Sequence, residues 1–302
     1  MSGKADSLKT ILFALGANFA IFVAKFVAAL LTGSGSMLAE AVHSLADCAN
    51  QGLLLIGMRQ SKRAPSAEHP LGYGLVVYFW SFLVALLLFS VGGVFSFYEG
   101  LHKLENPEPL RWPWLAVGVL VFGFIAESFS MWGCLREVNK ARGGRSLWRW
   151  FRDSRQSELI VVFGEDLAAL LGLLIAMVAV LTTELTGNPL FDAYGSIAIG
   201  VLLCIIAFFV AREVASLLVG KSAEAHLREA IYAFVGAQPE VEVVFNLITL
   251  QLGPDLMVAT KAKMRGDTTS RELVEAINRV EAAMKAQFPE IRWSFFEPDF
   301  ED

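Results

Sequence analysis

The sequence predicts an α-helical membrane protein, with six transmembrane helices followed by a C-terminal cytosolic domain of order αββαβ, ferredoxin-like in arrangement. Three observations carry this expectation. Hydrophobic residues make up 55% of the 302-residue chain and the mean hydropathy is +0.53, with the excess concentrated before residue 220. Six apolar stretches (9–32, 36–59, 75–98, 113–135, 157–182 and 191–218) each approach the ~20 residues that a helix needs to cross the hydrocarbon core. Beyond Lys221 the apolar runs give way to alternating and amphipathic patterns. The expected domains are 1–220, a six-helix transmembrane domain, and 221–302, a cytosolic dimerisation domain.

The first stretch contains ILFALGANFAIFVAKFVAALL. It is apolar on nearly every side, whereas a helix of a soluble bundle keeps one polar face. Lys25 lies deep within it. The pattern leaves two readings open for this lysine: pairing with Glu40, or snorkelling toward the membrane surface. The second stretch, from Ser36 to Met58, is the most informative. Glu40, His43, Asp47 and Asn50 fall within a stripe about 80° wide on a helix. An ionisable group at the centre of a bilayer costs at least ~2.5 kcal/mol, so such groups face a pathway or a partner. An imidazole and a carboxylate at i, i+4 converge on one point, and together they are half of a tetrahedral site for a divalent metal.

The third stretch carries no comparable polar pattern. The fourth holds Glu127 and Ser128, candidates for lining a pathway. The fifth holds the adjacent acids Glu165 and Asp166. Neighbouring helical residues point about 100° apart, so the two cannot both face one site squarely. One is the expected ligand, and the other supports it or has a partner elsewhere. The sixth begins at Asp192, a candidate cap for its own helix. Asn50 is either a hydrogen-bonding residue at a helix contact or a support beside Asp47.

Orientation follows from lysine and arginine. The loop after the second stretch has Arg59, Lys62 and Arg63, and the loop after the fourth has a run from Arg136 to Arg155. The loops after the first and fifth have neither residue. The basic loops are expected to be cytoplasmic, and with them both termini. Trp148, Trp150 and Phe151 in the basic run suit a segment at headgroup level. MSGKADSLK leads into the first stretch without a cleavage signal, so no separate targeting peptide is expected, and a bacterial inner membrane fits. Cys48, Cys134 and Cys204 lie in apolar stretches without paired spacing; they read as packed thiols. The net charge of −5 gives no sign of a nucleic-acid partner.

In the C-terminal part, SAEAHLREAIYAFVGAQPE reads as a helix, and VEVVFNLITLQLG and DLMVATKAKMRG alternate as two strands joined through Gly253, Pro254 and Asp255. TTSRELVEAINRVEAAMKAQFP is an amphipathic helix that opens at Thr268 or Thr269, and IRWSFFEP is a final strand.

The stretches GSMLAEAVHSLADCANQ (35–51), HPLGYGLVVYFWSFLVALLLFSVGG (69–93), GEDLAALLG (164–172) and FDAYGS (191–196) resemble the cation diffusion facilitator family, and within it the zinc transporter nine branch. The resemblance implies a metal held between the second and fifth helices, with His43 and Asp47 on the second and Asp166, six residues before Gly172, on the fifth. The family's remaining ligand stands four residues before that acid. Here the position is Val162, so Glu165, Asn50 or a water is left to complete the shell. The family's peripheral metal site is reduced to His69, with Ser66 and Tyr73 at the matching positions. Its cytosolic binuclear site has no histidine at the matching strand positions, only Glu297. The Lys after the Gly-rich stretch and the Asp after the last span that pair in many members are replaced by Leu75 and Val219.

The function this implies is export of a divalent cation, Zn²⁺ first, by metal/proton antiport in a homodimer, with the metal as cargo and no cofactor. Mn²⁺, Fe²⁺ and Co²⁺ are alternatives for a carboxylate-rich site. A non-transporting regulatory scaffold is the alternative of a different class. An intramembrane metalloenzyme is not expected, because the sequence has no HExxH and no nucleophile with a base.

Overall fold

The computed structural model describes residues 3–266 and 269–301, with the backbone alone for 3–17. Each apolar stretch, apart from Leu75 at the start of the third, falls within one continuous helical segment: α1 Gly3–Thr32, α2 Gly35–Ser61, α3 and α4 as the continuous Val76–Glu105, α5 Pro113–Ala141, α7 Ser157–Thr186 and α8 Leu190–Gly220. Within the third segment, a π-helical turn, Leu88–Val94, separates α3 (Val76–Leu87) from α4 (Phe95–Glu105). Among the described residues, four segments are long and apolar enough to cross a membrane; they begin at Val76, Pro113, Ser157 and Leu190. The chain is thus a helical membrane protein with a small C-terminal sheet. The helix α2 is less apolar because it carries the polar stripe.

The chain forms two compact units. The first comprises 1–56, 80–147 and 158–214; the second comprises 57–79, 148–157 and 215–302. In the first unit, α1, α2, α5, α7 and α8 share an apolar core that includes Ala28, Met37, Leu120, Leu173 and Leu203. Small residues bring the π-helical turn and α8 close together. A side chain at Gly93 would meet the Cys204 sulfur at 2.5 Å and the Gly200 carbonyl at 3.3 Å. Close packing of this kind is how helices associate where the lipid is as apolar as the core.

The N-terminus of α2 is held by Asp192. This carboxylate accepts from the Ser34 hydroxyl at 2.6 Å, from the Gly35 amide at 2.6 Å, and from both the amide and the hydroxyl of Ser36. It therefore caps α2 and not its own helix, as the sequence had suggested. The reason is geometric: the turn between α1 and α2 presents free amides beside the first turn of α8, and a negative group suits that end of a helix. The turn is further held by Lys103, whose ammonium donates to the Gly33 carbonyl.

In the second unit, α9 (Ala225–Gly236), β1 (Val241–Leu252), β2 (Asp255–Met264), α10 (Ser270–Gln287) and β3 (Ile291–Pro298) follow the expected order. The sheet order is β1-β2-β3, with β1 and β2 antiparallel and β2 and β3 parallel. Leu252 pairs with Asp255 across the Gly253–Pro254 turn, and Gly253 takes the positive φ of 67° that a tight hairpin turn requires. Ile231, Val235, Val258, Val280, Met284 and Ile291 fill one core. Thr269 caps α10 in a reciprocal capping box with Glu272; Thr268, the other expected start, lies outside the described residues.

The same unit binds its outlying segments tightly. The Arg155 guanidinium donates to the carbonyls of Ser222 at 2.6 Å and Ala223 at 3.5 Å. The buried Tyr78 hydroxyl lies 3.3 Å from the Arg155 carbonyl and 3.4 Å from that of Gly253. The short helix α6, Leu147–Asp153, carries the aromatic run expected at headgroup level. Only Trp148 is exposed there; Trp150 and Phe151 are buried, so these two serve packing.

Replacing Asp192 by alanine removes the cap of α2. It is expected to lower stability by about 1–2 kcal/mol, read as a fall in melting temperature in detergent. Ser36→Ala, which removes one of the donors, is expected to have a smaller effect. Equal melting of Asp192→Ala and wild type would show that the cap does not stabilise α2.

Candidate metal centre

The polar stripe of α2 meets three different helices. Lys25 on α1 pairs with Glu40 at 3.3 Å, with both side chains fully buried, and donates to the Ser44 hydroxyl at 2.8 Å. The lysine therefore pairs and does not snorkel. The other Glu40 oxygen has no hydrogen-bond partner and lies against Gly172 of α7, where any side chain would collide with it. One turn further along α2, the His43 Nε2 is 3.6 Å from an Asp47 carboxylate oxygen. His43 is fully buried, and neither of its ring nitrogens has a hydrogen-bond partner. The next stripe residue, Asn50, donates to Glu165 of α7 at 2.6 Å.

On α7 the two acids diverge as their helical spacing demands. Glu165 turns to Asn50 of α2. Asp166 turns to α5 and accepts from the Ser130 hydroxyl at 3.1 Å, while its second oxygen is unpartnered. Both nevertheless line one polar cavity of about 60 Å³, whose walls also carry Asp47, Gln51, Glu127, Ser130 and Val162. The two acids thus point apart, to Asn50 on α2 and to Ser130 on α5, while both reach the cavity wall. The cavity is bounded by four helices, and residues 100° apart reach two of its walls.

His43 itself does not line that cavity. It packs toward the π-helical turn, where a side chain at Gly92 would stand 3.9 Å from its Nδ1. Asp47 thus touches both His43 and the cavity. Among the described residues, no three His, Cys, Asp or Glu side chains stand close enough to form a ready metal cluster. Asp47 and Asp166 face the cavity from α2 and α7, His43 stands behind Asp47, and all three carry unpartnered atoms. Buried polar atoms without partners are costly.

Sequence reasoning missed Gln51 and Ser130. Their signal was present: Gln51 follows Asp47 by one turn, and Ser130 stands three residues after Glu127, on the same helix face. Ser128, proposed beside Glu127, instead donates to the Phe124 carbonyl of its own helix at 2.7 Å. At the reduced peripheral position, His69 stacks on Tyr73 with centroids 4.4 Å apart.

Residues 11–219 match the model of the cation efflux transmembrane domain. The chain belongs to the cation efflux family. This cation efflux protein is 32% identical over 231 residues to the human proton-coupled zinc antiporter SLC30A9, mitochondrial, a match that covers 76% of this chain and 41% of the antiporter. It is 31% identical over 250 residues to metal tolerance protein C4 of Arabidopsis thaliana, covering 82% of this chain and 55% of that protein. It is also 24% identical over 273 residues to the cation-efflux pump FieF of Cronobacter sakazakii, covering 89% and 85%. The chain therefore spans less than half the length of the antiporter.

The divergent orientation of the two acids generates a ranking. Asp166→Asn is expected to eliminate Zn²⁺ binding in a calorimetric titration, because it neutralises an unpartnered oxygen on the cavity wall. Glu165→Gln keeps a hydrogen-bonding group toward Asn50 and is expected to weaken binding by roughly tenfold. The reverse order would move the ligand role to Glu165.

Proposed function

We propose that this protein exports a divalent cation, Zn²⁺ first, by alternating access and in exchange for protons. The observation that carries the reading is Asp47, which faces the same cavity as Asp166 and stands 3.6 Å from the buried, unpartnered His43 behind it. Metal would be bound by His43, Asp47 and Asp166, with Glu165 and Asn50 completing or supporting the shell. His43 binds metal only as a neutral imidazole, so metal and proton compete for it, and release of one favours capture of the other. The names of two relatives, the proton-coupled zinc antiporter SLC30A9 and the zinc transporter ZitB, support zinc and proton exchange. A carboxylate-rich cavity with Val162 on its wall favours Mn²⁺, Fe²⁺ or Co²⁺ as second cargoes.

The membrane arrangement in this reading is six spans, α1 and α2 included, in domain 1–220. Both termini are cytoplasmic, on the side of the basic loops, and the protein sits in a bacterial inner membrane. The domain 221–302 is a ferredoxin-like cytosolic module that joins two copies of the chain. Its sheet carries an aligned row across three strands, Ile248, Ala259 and Phe295, in which Ile248 is 57% and Phe295 54% exposed. An apolar row of this kind suits contact with a second copy.

Reconstituted in liposomes, the protein is expected to show proton flux stimulated by Zn²⁺, and Asp47→Ala is expected to abolish it without loss of expression. Wild-type flux in Asp47→Ala would remove the site from the mechanism. A separate check concerns assembly. Phe295→Asp is expected to convert the dimer to a monomer in light scattering, whereas a chelator is expected to leave the wild-type dimer intact. Dissociation by the chelator would reveal a metal-dependent interface.

A further inference from the structure

The cavity has one carboxylate that the two-helix site leaves without a role. Glu127 of α5 faces it together with Asp47, Glu165 and Asp166. It stands three residues before Ser130, the hydroxyl that holds one oxygen of Asp166. The wall position one turn before Asp166, where a side chain on α7 would naturally join it at i−4, is Val162, which has no donor atom. An acidic cluster alone is not evidence of a ligand site. Here one of the lining groups is nine-tenths buried with an oxygen that nothing satisfies, and an unpartnered imidazole stands behind another. Asp166 is only 8% exposed and has an unpartnered oxygen, and His43 is fully buried, wholly unpartnered and 3.6 Å from Asp47.

From this arrangement we infer that Glu127 supplies the metal ligand that α7 lacks at Val162, so that the cation is held by three helices, α2, α5 and α7. The inference rests on the export reading above and deepens it. A site of one imidazole and three carboxylates has one nitrogen and three oxygen donors. Such a site discriminates less sharply for Zn²⁺ over Mn²⁺ and Fe²⁺ than one with a second nitrogen. It also ties α5 to the transport cycle. Closing the cavity around the cation must draw α5 toward α2 and α7, and the Ser130–Asp166 hydrogen bond already links two of these helices.

The test is Zn²⁺ and Mn²⁺ binding to the full chain in detergent, measured by calorimetry for four proteins: wild type, Asp47→Ala, Glu127→Gln, and Glu127→Gln combined with Val162→Asp. Glu127→Gln preserves size and polarity, and its melting temperature is recorded alongside. The expected result is that Asp47→Ala abolishes binding, that Glu127→Gln weakens Zn²⁺ affinity by on the order of tenfold or more, and that Val162→Asp restores it by returning a carboxylate to the cavity from α7. Wild-type affinity in Glu127→Gln, with binding lost in Asp47→Ala, would overturn the role of Glu127 and leave the export reading standing. Weakening that Val162→Asp does not restore would also overturn it, because Glu127 would then serve only the packing of α5. Absence of binding by the wild type would overturn both readings together.

Discussion

An ionised carboxylate among apolar helices must find positive charge, and the interior of this bundle holds far more of the first than of the second. Glu40, Asp47, Glu127, Glu165 and Asp166 all lie inside it, and Lys25 is the cation that the structure places with them, paired to Glu40. The four remaining acids line one cavity. Neutral donors from Asn50 and Ser130 satisfy one oxygen each on Glu165 and Asp166, but no hydrogen-bond donor removes a net charge. Mobile positive charge, as a divalent metal or as protons, is what such an interior requires.

The rest of the architecture serves to place these groups. Lys25 and Glu40 neutralise each other beside the cavity, and Gly172 gives the Glu40 carboxylate room between α2 and α7. Asp192 holds the start of α2 through four hydrogen bonds from Ser34, Gly35 and Ser36. The π-helical turn at Leu88–Val94 comes close to His43. An irregular turn of this kind is a weak point in a helix ladder and is often found where a helix must change shape.

Much of this was legible in the sequence because membrane helices carry simple rules. An apolar run of membrane length has no other stable fold, and every such run lies in a helix. The i, i+4 spacing of His43 and Asp47 gave their proximity, and the alternation from Val241 to Met264 gave the hairpin, because both depend on local geometry alone. What escaped was set by which helices become neighbours. Asp192 caps α2 because that end happens to lie beside it. Glu165 and Asp166 share a cavity because it is bounded on several sides. Ser130 matters and Ser128 does not because α5 turns one face inward. The burial of Trp150 and Phe151 follows from packing inside the second unit, which an aromatic and basic composition does not reveal.

The central claim is that one divalent cation reconciles the acids of α2, α5 and α7. The most direct measurement is element-specific anomalous scattering from crystals of the Zn²⁺-loaded protein. The account predicts a single strong peak in the helix bundle, with ligand atoms of His43, Asp47, Glu127 and Asp166 at about 2.0–2.2 Å from it. A bundle without a peak there, or a peak at some other place in the chain, would contradict it.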